Sequence, residues 1–133
     1  MAMKRTAGFT VIEIIVAILF LASATVILFT QRQNLLATQG DATRKTAINA
    51  MYYSLEEVYY KAHNAYPSKI DSATLPSVDP ALFTDPHGNA LGSSNSSYRY
   101  EPTNCTTDGT CKSYTLRALM EKEADYVKTS RHQ

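Results

Sequence analysis

Residues 8–29, GFTVIEIIVAILFLASATVILF, decide the fold of this chain. From Phe9 to Phe29 the stretch is almost wholly apolar, and Glu13 is its one ionisable residue. A helix of about 20 apolar residues, rising about 1.5 Å per residue, is long enough to cross the hydrocarbon core of a bilayer. A carboxylate inside such a helix costs roughly 2.5–3.5 kcal/mol at its centre and less near an end. We therefore expect Glu13 to have a functional role and to pair with a partner group that offsets this cost.

The residues around the start of this stretch resemble the class III signal of type IV pilins and type II secretion pseudopilins. Lys4 and Arg5 belong to a short basic leader that ends in Gly8, Phe9 is aromatic, and Glu13 is the fifth residue after Gly8. In that family a prepilin peptidase cuts after the residue that matches Gly8 and N-methylates the one that matches Phe9. The glutamate that matches Glu13 pairs with the new terminal amine of a neighbouring subunit during assembly. The resemblance covers the leader and the apolar segment closely, and the rest of the chain in outline.

Two other interpretations of the apolar segment stay open. In an ordinary Sec signal peptide, Ala22-Ser23-Ala24 would be the cleavage site, and the mature chain would begin at Thr25. That interpretation puts Glu13 in the middle of the hydrophobic region. The segment could also be a plain single-pass anchor in which Glu13 has no role. We favour the pilin-like interpretation because it accounts for Gly8, Phe9 and Glu13 together.

Composition limits the function further. The 133 residues leave room for one domain beyond the apolar segment. The formal net charge is +1 from 13 basic and 12 acidic residues, and loss of Lys4 and Arg5 with the leader would make it −1. Neither value favours nucleic-acid binding by bulk charge. The three histidines are scattered, and no nucleophile, zinc-protease or phosphate-loop motif is present, so we expect neither an enzyme nor a cofactor.

The helical pattern continues beyond Phe29 through residues 30–66. Apolar residues recur at steps of three and four, which predicts a stripe on an amphipathic helix: Ile48, Met51, Tyr52, Leu55, Val58, Tyr59, Ala62 and Tyr66. The opposite face would carry Arg44, Lys45, Asn49, Glu56, Glu57, Lys61 and Asn64. Pro67 predicts the end of the helix near Tyr66. The domain plan is then a leader at 1–8, a membrane or filament-core helix at 9–29, its amphipathic continuation at 30–66, and a globular head at 67–133.

The head begins with a predicted loop at residues 68–97, which is rich in Ser, Pro, Asp, Asn and Gly. Within it, residues 85–89 read Asp-Pro-His-Gly-Asn, a turn that resembles one in major pseudopilins. In that subgroup a nearby loop binds calcium, but its ligands find no residue-by-residue match here, so no metal site is predicted.

Three strands are predicted after the loop, at residues 97–101 with a stop at Pro102, at 112–119 and at 125–129. The second alternates so that Tyr114, Leu116 and Ala118 share one face. Residues 116–128 also fit a helical stripe, and pattern alone leaves the two equal. The small antiparallel sheet implied by the resemblance favours strands.

Cys105 and Cys111 enclose five residues and predict a disulfide if the head is exported. So short a loop gives at most about 2 kcal/mol of stabilisation, so the bridge would fix a local turn. The alternative, a metal site, lacks further ligands at suitable spacing.

Together these features predict an α+β fold with one very long N-terminal helix and a small antiparallel sheet. The resemblance implies a structural subunit that is held in the inner membrane by a single helix and then polymerised into an extracellular or periplasmic filament. Its partners would be copies of itself, other pilins, the prepilin peptidase and the inner-membrane assembly machinery. A type II secretion pseudopilin is the alternative within the family, and a membrane-anchored or secreted binding module that does not polymerise is the alternative outside it.

Overall fold

One helical backbone runs without a break over Val11–His63. In the computed structural model, which describes residues 8–132, it consists of α1 (Val11–Tyr53), a π-helical segment (Ser54–Tyr59) and α2 (Tyr60–His63). It ends at His63, short of the predicted end at Tyr66. Asn64 causes this end, because it adopts a left-handed conformation with φ of 52° and its N–H donates to the Tyr60 carbonyl at 2.7 Å.

The π-helical segment changes which face of the helix is buried. Ile48, Met51 and Leu55 of the predicted stripe are fully buried, but Val58 is 51% exposed and Ala62 is also exposed. The reason is that hydrogen bonds in a π-helix close wider turns than in an α-helix, so an apolar stripe loses its phase there. The predicted stripe is therefore correct as far as Leu55 and wrong at Val58 and Ala62.

The chain divides into two compact units between Leu36 and Ala37. The first unit consists, in the part that the structure describes, of the chain before the helix and the N-terminal part of α1. The second contains the rest of the helix, every strand described below and the hydrophobic core.

The strands of the second unit form one antiparallel sheet. They are β1 (Tyr66–Pro67), β2 (Tyr98–Cys105), β3 (Thr110–Ala118) and β4 (Tyr126–Thr129). β3 is central: β2 pairs along one of its edges, and β1 and β4 pair with different parts of the other. The sheet confirms the α+β fold with its long N-terminal helix and small antiparallel sheet.

The structure decides the ambiguity over residues 116–128 in favour of strands. β3 ends at Ala118, β4 begins at Tyr126, and the residues between them form no helix. Tyr114, Leu116 and Ala118 are buried on one face, as predicted. One boundary was wrong: β2 continues through Pro102, which pairs in register with Tyr114. An edge strand tolerates proline where its missing N–H would point away from the sheet.

The core of the second unit combines the helix, the sheet and the loop at 68–97. Ile48, Met51 and Leu55 of the helix share it with Tyr98 and Leu116 of the sheet. The loop adds a short 3₁₀-helix, Pro80–Phe83. The apolar side chains that the loop at 68–97 buries in this core are Ile70, Leu75, Val78 and Phe83.

Candidate functional site

The predicted cleavage site lies just before the helix. Residues 1–7 of the predicted leader lie outside the described residues. Gly8 and Phe9 have no regular secondary structure and are exposed, Phe9 by 79%. A Cβ at Gly8 would meet no atom of the described residues within 4 Å. Residues 9–132 therefore leave Gly8 open to approach.

Thr10 caps the helix and sets the position of Glu13. The Glu13 N–H donates to Thr10 Oγ1 at 3.3 Å, and the Ile14 N–H donates to the Thr10 carbonyl at 3.2 Å. This is the Thr-x-x-Glu spacing of a capping box, a signal that Thr10 and Glu13 already carry in the sequence. It puts Glu13 in the first turn of α1, where the helix dipole favours a negative charge. No ion pair within residues 8–132 involves its carboxylate.

The apolar side chains that follow Thr10 are exposed. They include Val11, Ile12, Leu19, Phe20, Leu21, Val26, Leu28 and Phe29. By length and composition, this one helix of the described chain is apolar enough to cross a membrane. An exposed surface of this kind needs an apolar environment, because large apolar patches are unfavourable in water.

The hydroxyl groups within the apolar segment are satisfied inside the helix itself. Ser23 Oγ donates to the Phe20 carbonyl at 2.9 Å, and Thr25 Oγ1 donates to the Leu21 carbonyl at 2.7 Å. Thr30 makes the same kind of bond one helical turn back. Because these donors need no water, the segment keeps its apolar character in spite of its polar residues.

Cys105 and Cys111 form a disulfide across the end of the β2–β3 hairpin. They are partners in the strand register, with their Cα atoms 3.9 Å apart. Gly109 takes a φ of 83° in the loop that the bridge closes, where a side chain would be strained. The bridge therefore fixes a local turn, as the short spacing predicted.

The predicted turn at residues 85–89 is built around a buried carboxylate. Asp85 Oδ1 accepts from the N–H groups of His87 and Asn89, and Oδ2 accepts from the N–H and the hydroxyl of Ser97 at 2.8 and 3.0 Å. Burial alone would raise the pKa of Asp85, but these hydrogen bonds outweigh it and lower the pKa to about 2. Gly88 supplies the positive φ that the turn requires.

No group of three or more His, Cys, Asp or Glu in the described chain is arranged to hold a metal ion. Both oxygens of Asp85 already accept hydrogen bonds from protein donors. The histidines are exposed: His87 Nε2 lies 3.0 Å from Glu121 Oε1, and His63 and His132 stack on Tyr59 and Tyr60.

Glu56, which the sequence pattern placed on the polar face, is buried with only 3% of its surface exposed. Its carboxylate accepts from the hydroxyls of Tyr114 at 2.8 Å and Tyr66 at 3.0 Å, and from the Arg131 N–H at 3.2 Å. Burial, followed by the bond to Glu56, raises the pKa of both tyrosines. These contacts fasten the last residues of the described chain to the π-helical segment.

Arg44 is a second charged residue that the sequence pattern assigned to the exposed face of the helix. It is buried, with only 1% of its surface exposed. Its guanidinium pairs with Asp41 at 2.8 Å and with Glu121 at 2.7 Å. Burial would raise the pKa of Asp41, but N–H donors of Glu121 and Lys122, together with Arg44, lower it. The network holds the loop between β3 and β4 against the helix.

The chain was compared with protein-family models, with curated proteins and with solved structures, and none of the three gave a match. The architecture therefore rests on the structure alone. The pilin-like resemblance of the N-terminal residues stays a prediction.

Proposed function

We propose that this chain is a structural subunit of a type IV pilus-like filament. In this proposal the prepilin peptidase cuts between Gly8 and Phe9 and methylates the Phe9 amine. The apolar helix then packs against the same helix of neighbouring subunits. The observation that carries the proposal is the order of three features along the chain: an open Gly8–Phe9 bond, a capped helix start with Glu13 in its first turn, and an exposed apolar surface.

The exposed apolar surface would serve in two environments. Before assembly it lies in the inner membrane as a single span, with the leader on the cytoplasmic side because of Lys4 and Arg5. After assembly it lies in the core of a filament outside that membrane. Both environments exclude water, which suits hydroxyls that donate within their own helix.

Glu13 would couple assembly to processing. An unpaired carboxylate in an apolar helix bundle is costly, and a nearby ammonium group offsets that cost. In a helix that continued back to Phe9, the amine of the same subunit would lie about one helical turn from Glu13 and would point along the helix axis. A staggered neighbour can instead place its own Phe9 amine beside Glu13. This amine exists only after cleavage, so uncut subunits cannot form the pair.

The mature N-terminus, measured by mass spectrometry, tests the proposal. A chain that begins at Phe9 and carries one added methyl group is expected. A chain that begins at Thr25 would show a Sec signal peptide instead, and an uncut chain would show a plain anchor. Either of the last two results would refute the assignment.

Glu13 variants test the assembly step separately. We expect Glu13→Gln and Glu13→Ala to insert and to be cut after Gly8, yet to be largely absent from sheared surface filaments. Thr25→Val is the matched control, since it also removes a polar group but one that is satisfied within its own helix. Normal incorporation of both Glu13 variants would leave Glu13 without this role.

A type II secretion pseudopilin is the second candidate, because the turn at residues 85–89 resembles that of major pseudopilins. Deletion of the chain in its own host separates the two candidates. Loss of surface filaments with normal protein secretion supports the pilus subunit, whereas loss of secretion supports the pseudopilin.

A further inference from the structure

Two arginines lie directly opposite each other on the outer face of the sheet. Arg99 and Arg117 are partners in the β2–β3 register, and Val127 of β4 pairs with Arg117 on its other side. The adjacent pair, Tyr98 and Ala118, is fully buried. Side chains alternate along a strand, so the arginines belong to the face that points away from the core. Like charges in directly opposed positions repel, and such a pair gains from a counter-charge.

The described chain provides no counter-charge for them. Neither guanidinium forms an ion pair within 4.0 Å in residues 8–132. Glu101 follows two positions along β2 and Asp125 precedes β4, but neither carboxylate pairs with the two arginines. By contrast, Arg44 and Arg131 have carboxylate oxygens at 2.7 and 2.6 Å.

Arg99 is held in place by hydrogen bonds, whereas the Nε of Arg117 has no hydrogen-bond partner within the described residues. Arg99 Nη1 donates to the carbonyls of Ser96 and Tyr98, and its Nη2 donates to the Ser94 carbonyl at 3.1 Å. Arg117 makes no hydrogen bond from its buried Nε within the described residues. A guanidinium that is already fixed loses little freedom when it binds a ligand.

We propose that Arg99 and Arg117 bind a doubly charged tetrahedral oxyanion, a sulfate or phosphate group. Guanidinium groups match the oxygen spacing of such groups with paired N–H donors. Two positive charges are neutralised by one dianion, whereas a carboxylate neutralises only one of them. The group is either the free dianion or, on an anionic polymer, two neighbouring monoanionic esters that together supply the two charges, and the site does not depend on filament assembly.

The test uses the full chain in a non-ionic maltoside detergent, which carries no phosphate or sulfate. Sodium sulfate is titrated at constant ionic strength, with binding measured by calorimetry and by the amide NMR shifts of Arg99, Arg117 and Val127. Sodium acetate is the monoanion for comparison. Arg117→Gln is the main variant because, within residues 8–132, the Arg117 Nε has no hydrogen bond that would be lost. Lys112→Gln, an exposed charge on the same strand, is the matched control.

We expect saturable sulfate binding that shifts the amide signals of Arg99, Arg117 and Val127 and that is tighter than acetate binding. The sulfate affinity should fall by about tenfold or more in Arg117→Gln but not in Lys112→Gln. Tyrosine near-UV circular dichroism verifies that each variant is folded. Dextran sulfate, whose sulfate esters are each monoanions, identifies the source. Much tighter binding than that of free sulfate, lost in Arg117→Gln, indicates a polymer. Binding no tighter than that of free sulfate indicates the free ion. Absence of saturable sulfate binding, or equal affinity in wild type and Arg117→Gln, would refute the site.

Discussion

Removing the charge of Asp85 should destabilise the second unit by about 2 kcal/mol at neutral pH. The substitution is Asp85→Asn, which keeps the size of the side chain. One carboxylate oxygen closes the turn at residues 85–89, and the other accepts two hydrogen bonds from Ser97 just before β2. An amide retains one acceptor oxygen, and its NH₂ group cannot accept the bonds from Ser97.

The magnitude follows from the pKa of Asp85, which falls from the ordinary 3.8 to about 2 in the folded chain. Each unit of pKa corresponds to about 1.4 kcal/mol, which gives about 2 kcal/mol of stabilisation by the ionised form. Because the folded pKa is the lower one, this contribution is complete above the unfolded value. It is lost as the pH falls through 3.8 towards 2.

Urea unfolding followed by tyrosine near-UV circular dichroism measures the effect on the second unit specifically. The chain has nine tyrosines and no tryptophan, and the first tyrosine is Tyr52, so the signal excludes the apolar segment. The full chain is used in detergent. Asp79→Asn is the matched control: Asp79 is exposed and caps the short 3₁₀-helix, where asparagine caps equally well.

The pH dependence decides whether the charge is responsible. The difference in unfolding free energy between wild type and Asp85→Asn should be about 2 kcal/mol at neutral pH and should shrink towards zero near pH 2. A difference that stays constant between these pH values would show that the loss comes from packing of the amide and not from the charge. No difference at neutral pH would refute the reasoning outright.

Three further predictions test other parts of the molecule. Gly8→Val, which adds a branched side chain beside the predicted scissile bond, should leave the leader attached, and mature protein of normal mass would contradict this. Cys105→Ser combined with Cys111→Ser should lower the unfolding free energy of the second unit by no more than about 2 kcal/mol, without affecting membrane insertion. Free-thiol labelling of both cysteines in exported wild-type protein would show that no bridge forms. Glu56→Gln should cost about 2 kcal/mol in urea unfolding, because two buried hydroxyls lose a charged acceptor, whereas exposed Glu57→Gln should cost far less.

Much of the fold could be predicted because its signals are local. The apolar run predicts a long helix on composition alone, and alternation along residues 112–119 predicts β3 and its buried face. The predicted helix end near Tyr66 was too late. The helix ends at His63, and the left-handed conformation of the next residue, Asn64, could not be read from the sequence. The predicted end of β2 at Pro102 was also wrong. Proline is tolerated in an edge strand, and the sequence does not show which strand lies at an edge of the sheet.

The buried charges could not be predicted, for a different reason. A helical projection assigns Glu56 and Arg44 to a solvent face because both are charged residue types, and it assumes a regular helix. Their burial depends on partners far away in the sequence: Tyr114 is 58 positions from Glu56, and Glu121 is 77 positions from Arg44. By contrast, Gly8, Phe9 and Glu13 form one short local motif, and this is why the candidate site could be named before the fold was known.

The π-helical segment Ser54–Tyr59 also affects how this chain should be aligned with others. A π turn accommodates extra backbone relative to an α turn, so the segment is equivalent to an insertion inside the helix. An alignment to a chain with a regular helix needs a one-residue gap at this point. Without it, residues on one side of the segment would be matched to positions on the wrong face of the helix.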